Sequence, residues 1–179
     1  MEEYIPCFAC GAKGLNIPGE THRYMLSSPG CWAMYNEVLE KEYSDFQYAK
    51  AHHFTVDAYA CQHPGEPGST QASRSVWIHL SSLFMIFNYQ MPLQEAANFK
   101  SVFSQFEKRR SFIHQLEVPE DLGKVTVFDV WNNEDASKHY SLCEAWATSA
   151  FEAWKMAHSE IKSWIDLFLK DHPDFQKEN

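Results

Sequence analysis

The chain has 179 residues, 45% hydrophobic and 15% aromatic, with a net charge of −9. That length and apolar load predict one domain with a real core and exclude a disordered chain. The acidic balance argues against nucleic acid, whose partners show a basic stripe, and the compact run Lys108-Arg109-Arg110 reads as a solvated turn.

No apolar run reaches the roughly 20 residues that span a bilayer, so no membrane partner is expected. The start MEEYIPCF carries no basic-then-apolar leader. A cytoplasmic address with reduced thiols is therefore expected. In that compartment closely spaced cysteines favour metal or catalysis over a disulfide framework.

Residues 1–28 contain Gly11, Gly14, Pro18 and Gly19 and show no helical period. They read as a cysteine-rich loop lobe that cannot build a core from its own side chains. Ser28-Pro29 then offers an N-cap with proline at the first helical position, and Trp32, Tyr35, Leu39 and Tyr43 make a stripe that predicts a helix over 29–43. A second helix starts at Ser44-Asp45 and runs until Pro64-Gly65 stops it. A third covers 70–90, with Val76, Leu80, Leu83 and Phe87 inward, and a fourth covers 93–107.

Between 108 and 135 the pattern weakens. KVTVFDVW alternates like a strand but has no evident partner, so it is taken as an extended connection. A last helix over 136–170 carries a seam of Trp146, Ala150, Ala153, Ala157, Ile161, Trp164 and Phe168. The expected architecture is an all-α, four- to five-helix bundle over 29–170, with a zinc-knuckle-like N-terminal lobe and a tail over 171–179.

The lobe holds the strongest chemical signal. Cys7 and Cys10 have the Cys-x-x-Cys spacing, followed directly by Gly11, so two thiolates can meet one ion while the small residue lets the backbone turn. Cys31 and His22 would complete a tetrahedral Cys3His zinc site, with His63 or a water as the alternative fourth ligand. A redox pair would want this motif at the start of a helix after a strand, a context that Gly11 and Gly14 spoil. Incidental core cysteines are the other competing reading. Cys61 and Cys143 lie in apolar helical runs and read as buried packing.

The histidines of the bundle raise a second question. His53 and Asp57 share a helical face, His63 closes the same helix, and His79 and His158 sit on apolar stripes. Lone buried imidazoles and carboxylates cost a few kcal/mol, so each must find a partner. Separate, hydrogen-bonded structural histidines satisfy this. So does convergence of Asp57, His63, His79 and His158 on a second divalent metal or a polar pocket. His52, His114, His139 and His172 read as surface residues.

The stretches CFACGA, THRYMLSSPGCW, VDAYACQHPG, SVWIHLSSL and EAWATSAFEAWKMAHSEIKSW together resemble a bacterial family of unknown function. Its members carry a CPGCG-type cysteine motif, an H-x-Y…SPGCW motif and a VDxYAxQHP helix. The resemblance implies that Cys7, Cys10, His22, Cys31, Asp57, His63, His79 and His158 occupy motif positions. Phe8-Ala9 replaces the Pro-Gly between the first two cysteines, which costs that turn stiffness. In architecture alone the chain is also similar to DinB- and YfiT-type metal-binding helical bundles.

Two classes of function follow. In one, an ion held by His63, His79 and His158 serves a hydrolase or thiol-transferase acting on a small molecule, with Asp57 as general base or as the group that orients a ligand. In the other, a zinc-stabilised module binds a ligand or partner, and its aromatic load suits a homodimer.

Overall fold

The computed structural model describes residues 3–175. Those residues form a short antiparallel ribbon and eight α-helices. The ribbon pairs β1 (Tyr4–Pro6) with β2 (Lys13–Leu15). The helices are α1 (Pro29–Ser44), α2 (Phe46–Ala49), α3 (His52–Gln62), α4 (Thr70–Tyr89), α5 (Ala96–Arg110), α6 (Val127–Trp131), α7 (Ala136–Ala153) and α8 (His158–Asp171). Apart from the ribbon, the architecture is all-α. No helix among the described residues is long and apolar enough to cross a membrane.

Helix α3 is the axis of the fold. It packs on α4, α7 and α1, and Phe54, Ala58, Tyr59, Ala60 and Cys61 are all buried. A helix apolar on nearly every side belongs in a core. Its polar side chains Thr55, Asp57 and Gln62 are buried as well, so each must be paired. Gln62 shows how: it donates to the carbonyls of Leu122 and Val125 and accepts from the Trp146 indole at 2.7 Å.

Helix α1 starts where Ser28-Pro29 predicted, and the Ser28 hydroxyl accepts from the Cys31 N–H at 3.4 Å. The second helix is broken: α2 lasts four residues from its Asp45 cap, and α3 starts afresh at His52. The long last helix is also two helices, divided by a 3-10 turn over Lys155–Ala157. Trp154, the residue at the break, is buried and its indole donates to the Cys61 carbonyl at 2.9 Å, so a tertiary bond ends α7 where no proline or glycine does.

Of the KVTVFDVW stretch, the last five residues, Val127–Trp131, are helical rather than extended, while Thr126 before them keeps extended backbone. The Asp129 carboxylate reaches back to the Thr126 N–H at 2.8 Å and its hydroxyl at 3.2 Å, half of a capping box. The expected tail begins packed: Phe175 sits 5.4 Å from the Phe168 ring and 5.8 Å from Phe99. Residues 176–179 of that tail lie outside the described residues.

The ribbon pairs Tyr4 with Leu15, Ile5 with Gly14 and Pro6 with Lys13, and β2 lies against the first turn of α1. Gly30 makes that approach feasible, because a Cβ there would stand 2.1 Å from the Leu15 carbonyl oxygen. Gly14 faces it, and a Cβ on Gly14 would lie 2.8 Å from the Gly30 carbonyl carbon. Backbone meets backbone here, and only glycine fits.

Candidate metal centre

Three segments meet where the ribbon touches the bundle. The turn between β1 and β2 brings Cys7 and Cys10. Bonds from the Gly11 N–H to the Cys7 carbonyl at 2.9 Å, and from the Cys7 N–H to the Ala12 carbonyl at 2.8 Å, close that turn. Gly11 takes φ +74°, a conformation that a β-carbon would strain. The third sulfur, Cys31, sits in the first turn of α1, where the helix dipole favours a thiolate.

The fourth group is His63. It ends α3 just before Pro64, and its ring folds back over Tyr59 one turn earlier, stacked at 3.9 Å. Its Nδ1 lies 2.7 Å from the Tyr59 carbonyl. A carbonyl only accepts, so Nδ1 carries the hydrogen and Nε2 turns its lone pair to the sulfurs.

Three of the six separations match the edges of a coordination tetrahedron, and all four ligand atoms lie within 4.8 Å of one another. Bonds of about 2.3 Å to sulfur and 2.0–2.1 Å to nitrogen give edges of about 3.8 Å between sulfurs and about 3.5 Å from sulfur to nitrogen. Cys10 and Cys31 Sγ stand 3.8 Å apart, and His63 Nε2 lies 3.5 Å from Cys31 Sγ and 3.8 Å from Cys7 Sγ. Cys7, Cys10, Cys31 and His63 can thus hold a metal ion together. Their exposures of 3, 9, 0 and 1% leave no face open to solvent.

Electrostatics around the sulfurs favour a cation. Hydrogen bonds from Cys10 and Cys31 pull the Cys7 thiol far below the ordinary range. Cys31, hydrogen-bonded to Cys10 and Cys7 and buried, is pushed far above it. Three thiols this close resist a second and third negative charge, and a divalent ion removes the conflict. The Ser28 N–H points at Cys7 Sγ from 3.4 Å, and the Tyr59 hydroxyl, which donates to Ser27, lies 3.9 Å from Cys31 Sγ.

His22 is not in this cluster. Its Nδ1 accepts from the Met25 N–H at 3.2 Å, and its ring meets Tyr24 and Trp32, so it folds its own loop. The fourth position falls to His63, the alternative.

Nor do Asp57, His63, His79 and His158 converge. His63 is turned to the lobe by its Tyr59 bond. Asp57 faces the other way, toward α4 and α5, where His79 Nδ1 lies 2.7 Å and Lys100 Nζ 2.5 Å from the same carboxylate oxygen. Burial alone would raise this carboxyl; the Lys100 charge and the His79 hydrogen bond outweigh it and hold it at about 2. His53 takes no part in that pair. His158 donates Nε2–H to the Phe151 carbonyl at 3.0 Å and stacks on the Phe151 ring at 4.0 Å, a structural histidine whose pKa burial lowers.

Several residues escaped the sequence reading, among them Glu42, buried in α1, and His52, expected at the surface but partly buried against it at 2.9 Å. Lys100 gives no motif signal, since its partner lies 43 positions away. His139, expected at the surface, is buried against Glu42.

Fold and site together define a helical protein with a closed Cys3His cluster suited to a metal ion. The chain belongs to DUF5946, a family of unknown function, whose model matches residues 5–155. No curated protein and no solved structure matches it.

Proposed function

We propose that Cys7, Cys10, Cys31 and His63 bind zinc as a structural ion, and that the protein is a zinc-stabilised helical scaffold rather than an enzyme working at this metal. The observation that carries this reading is closure: four buried protein ligands fill a tetrahedron, whereas a catalytic zinc keeps a position for water. Two three-residue strands cannot order themselves, so metal–thiolate bonding supplies what their side chains lack. All five cysteines are free, which suits a reducing compartment such as the cytoplasm.

Elemental analysis of wild type beside Cys7→Ser, His63→Ala and His22→Ala tests the assignment. Cys7→Ser and His63→Ala should each hold one equivalent of zinc fewer than wild type, and His22→Ala should hold as much as wild type. An undiminished zinc content in His63→Ala, or a loss of one equivalent in His22→Ala, would overturn the ligand set.

One observation favours a second reading, in which the scaffold serves a small anionic ligand. His79, with Nδ1 taken by Asp57, lines a hollow of about 390 Å³ together with Arg74, Ser75 and Lys108. A carboxylate-backed imidazole beside two cationic side chains is a general-base arrangement for such a molecule. Arg74 shares its charge with Glu107 at 2.9 Å, which leaves Lys108 as the less committed cation. Thermal-shift measurements with phosphate and small carboxylates, on wild type and His79→Ala, test it. Equal shifts in the two proteins, or none in either, would reject it.

A further inference from the structure

A second polar cluster lies away from the Cys3His centre, where α1, α3 and α7 meet. Glu42 comes from α1, while His139 and Cys143 stand four residues apart on one face of α7. Their exposures are 2, 2 and 0%, in a part of the core where packing alone would select aliphatic side chains.

Glu42 Oε1 lies 2.9 Å from His139 Nε2. Cys143 Sγ lies 3.5 Å from the same nitrogen and 4.0 Å from the same oxygen. One ring nitrogen carries one hydrogen or one lone pair, so it cannot satisfy both partners. A His–Glu hydrogen bond explains the imidazole and the carboxylate, and the thiol is placed to donate to the same carboxylate oxygen. Oxygen, nitrogen and sulfur nonetheless face one point, where a shared cation can take the place of those hydrogens. The sulfur–nitrogen separation equals the edge that bonds of about 2.3 and 2.0 Å give, and the oxygen–nitrogen pair at 2.9 Å needs to open by about 0.4 Å.

The carboxylate is held in place by α3. His52 Nδ1 lies 2.9 Å from Glu42 Oε2, and the Thr55 hydroxyl donates to Oε1 at 2.5 Å while standing 3.3 Å from Cys143 Sγ. Metal-bound carboxylates are oriented by neighbours of this kind.

We propose that Glu42, His139 and Cys143 form a second divalent-cation site, independent of the cysteine centre, with its fourth position beside Thr55. The mixed oxygen, nitrogen and sulfur donors suit a borderline cation of the zinc type and disfavour magnesium or calcium. With three protein ligands the coordination differs from the four-ligand centre in the lobe, and burial keeps both centres away from solvent.

The test uses the full chain, grown with zinc and, separately, with cobalt. Wild type dialysed against excess zinc should hold two equivalents; one equivalent overturns the proposal. His139→Ala and Glu42→Gln should each drop to one, with near-ultraviolet circular dichroism confirming that the fold persists. A second equivalent that survives both is a surface ion and overturns it too. If those variants do not fold, Cys143→Ser, which keeps shape, decides. In the cobalt protein its sulfur charge-transfer absorption should fall from that of four thiolates to that of three, and unchanged absorption overturns the proposal. His63→Ala should remove the other ion alone, so failure at one centre is told apart from failure at the other.

Discussion

Replacing Gly30 with alanine should weaken zinc binding without touching a ligand. The new Cβ would stand 2.1 Å from the Leu15 carbonyl oxygen, against the 3.0 Å that real contacts respect, so ribbon or helix must move by about 0.9 Å. Metal–ligand distances tolerate about 0.2 Å. Cys7 and Cys10 ride on the ribbon while Cys31 and His63 ride on the bundle, so this shift opens the tetrahedron along its seam. Overpacking of this kind costs about 1–3 kcal/mol, which converts to about 5- to 150-fold weaker zinc affinity. Alanine also favours the helix by up to about 1 kcal/mol, but that gain is the same with the lobe docked or free, so zinc affinity reports the clash alone. Gly14→Ala, short by a smaller margin at 2.8 Å, should cost less, and Gly19→Ala, which meets only Pro29 Cβ at 3.7 Å, nothing. Competition with a chromophoric chelator gives the three affinities. An unchanged Gly30→Ala, or a Gly19→Ala that weakens as much, would refute the docking geometry.

Asp57 makes stability depend on acid. The Lys100 charge and the His79 bond, outweighing burial, hold its carboxyl at about 2 in the fold, below the ordinary 3.8, so the stability it contributes is complete above pH 3.8 and is lost as pH falls toward 2. The shift corresponds to about 2 kcal/mol. Urea unfolding should show wild type losing that amount over this window and Asp57→Asn losing less; parallel curves would refute the pairing. At neutral pH Asp57→Asn leaves the partly buried Lys100 charge without its partner, at a cost of about 1–3 kcal/mol, and adding Lys100→Met should recover part of it. Asp129→Ala should cost about 1 kcal/mol in thermal unfolding by uncapping α6, and no change would mean that tertiary packing alone holds that helix. His22→Ala should lose about 1 kcal/mol of stability through its backbone bonds, read by the same melts, and an undiminished melting temperature would deny them any structural part.

The sequence carried the helices wherever local chemistry set them. Ser28-Pro29 marked the start of α1, and the apolar stripe of α4 marked its inward face. The three sulfurs were legible from spacing and a following glycine. What was hidden depended on distant partners. The α7–α8 break follows from the Trp154 bond to Cys61, and α3 separates from α2 with no glycine or proline between them. The Thr126–Asp129 capping pair was there to be read, but alternating valines pointed to extended chain instead. Choosing His63 over His22 required knowing that the Tyr59 carbonyl turns the ring inward. His139 looked like one more polar residue in SKHYS until Glu42, 97 positions away, was set beside it.

The four cluster residues Cys7, Cys10, Cys31 and His63 all precede α4 in the chain. A polypeptide emerging from the ribosome therefore has its complete donor set before α4 to α8 have been made. Ion capture can fix the lobe, α1 and the end of α3 as a seed, on which the later helices condense as they arrive.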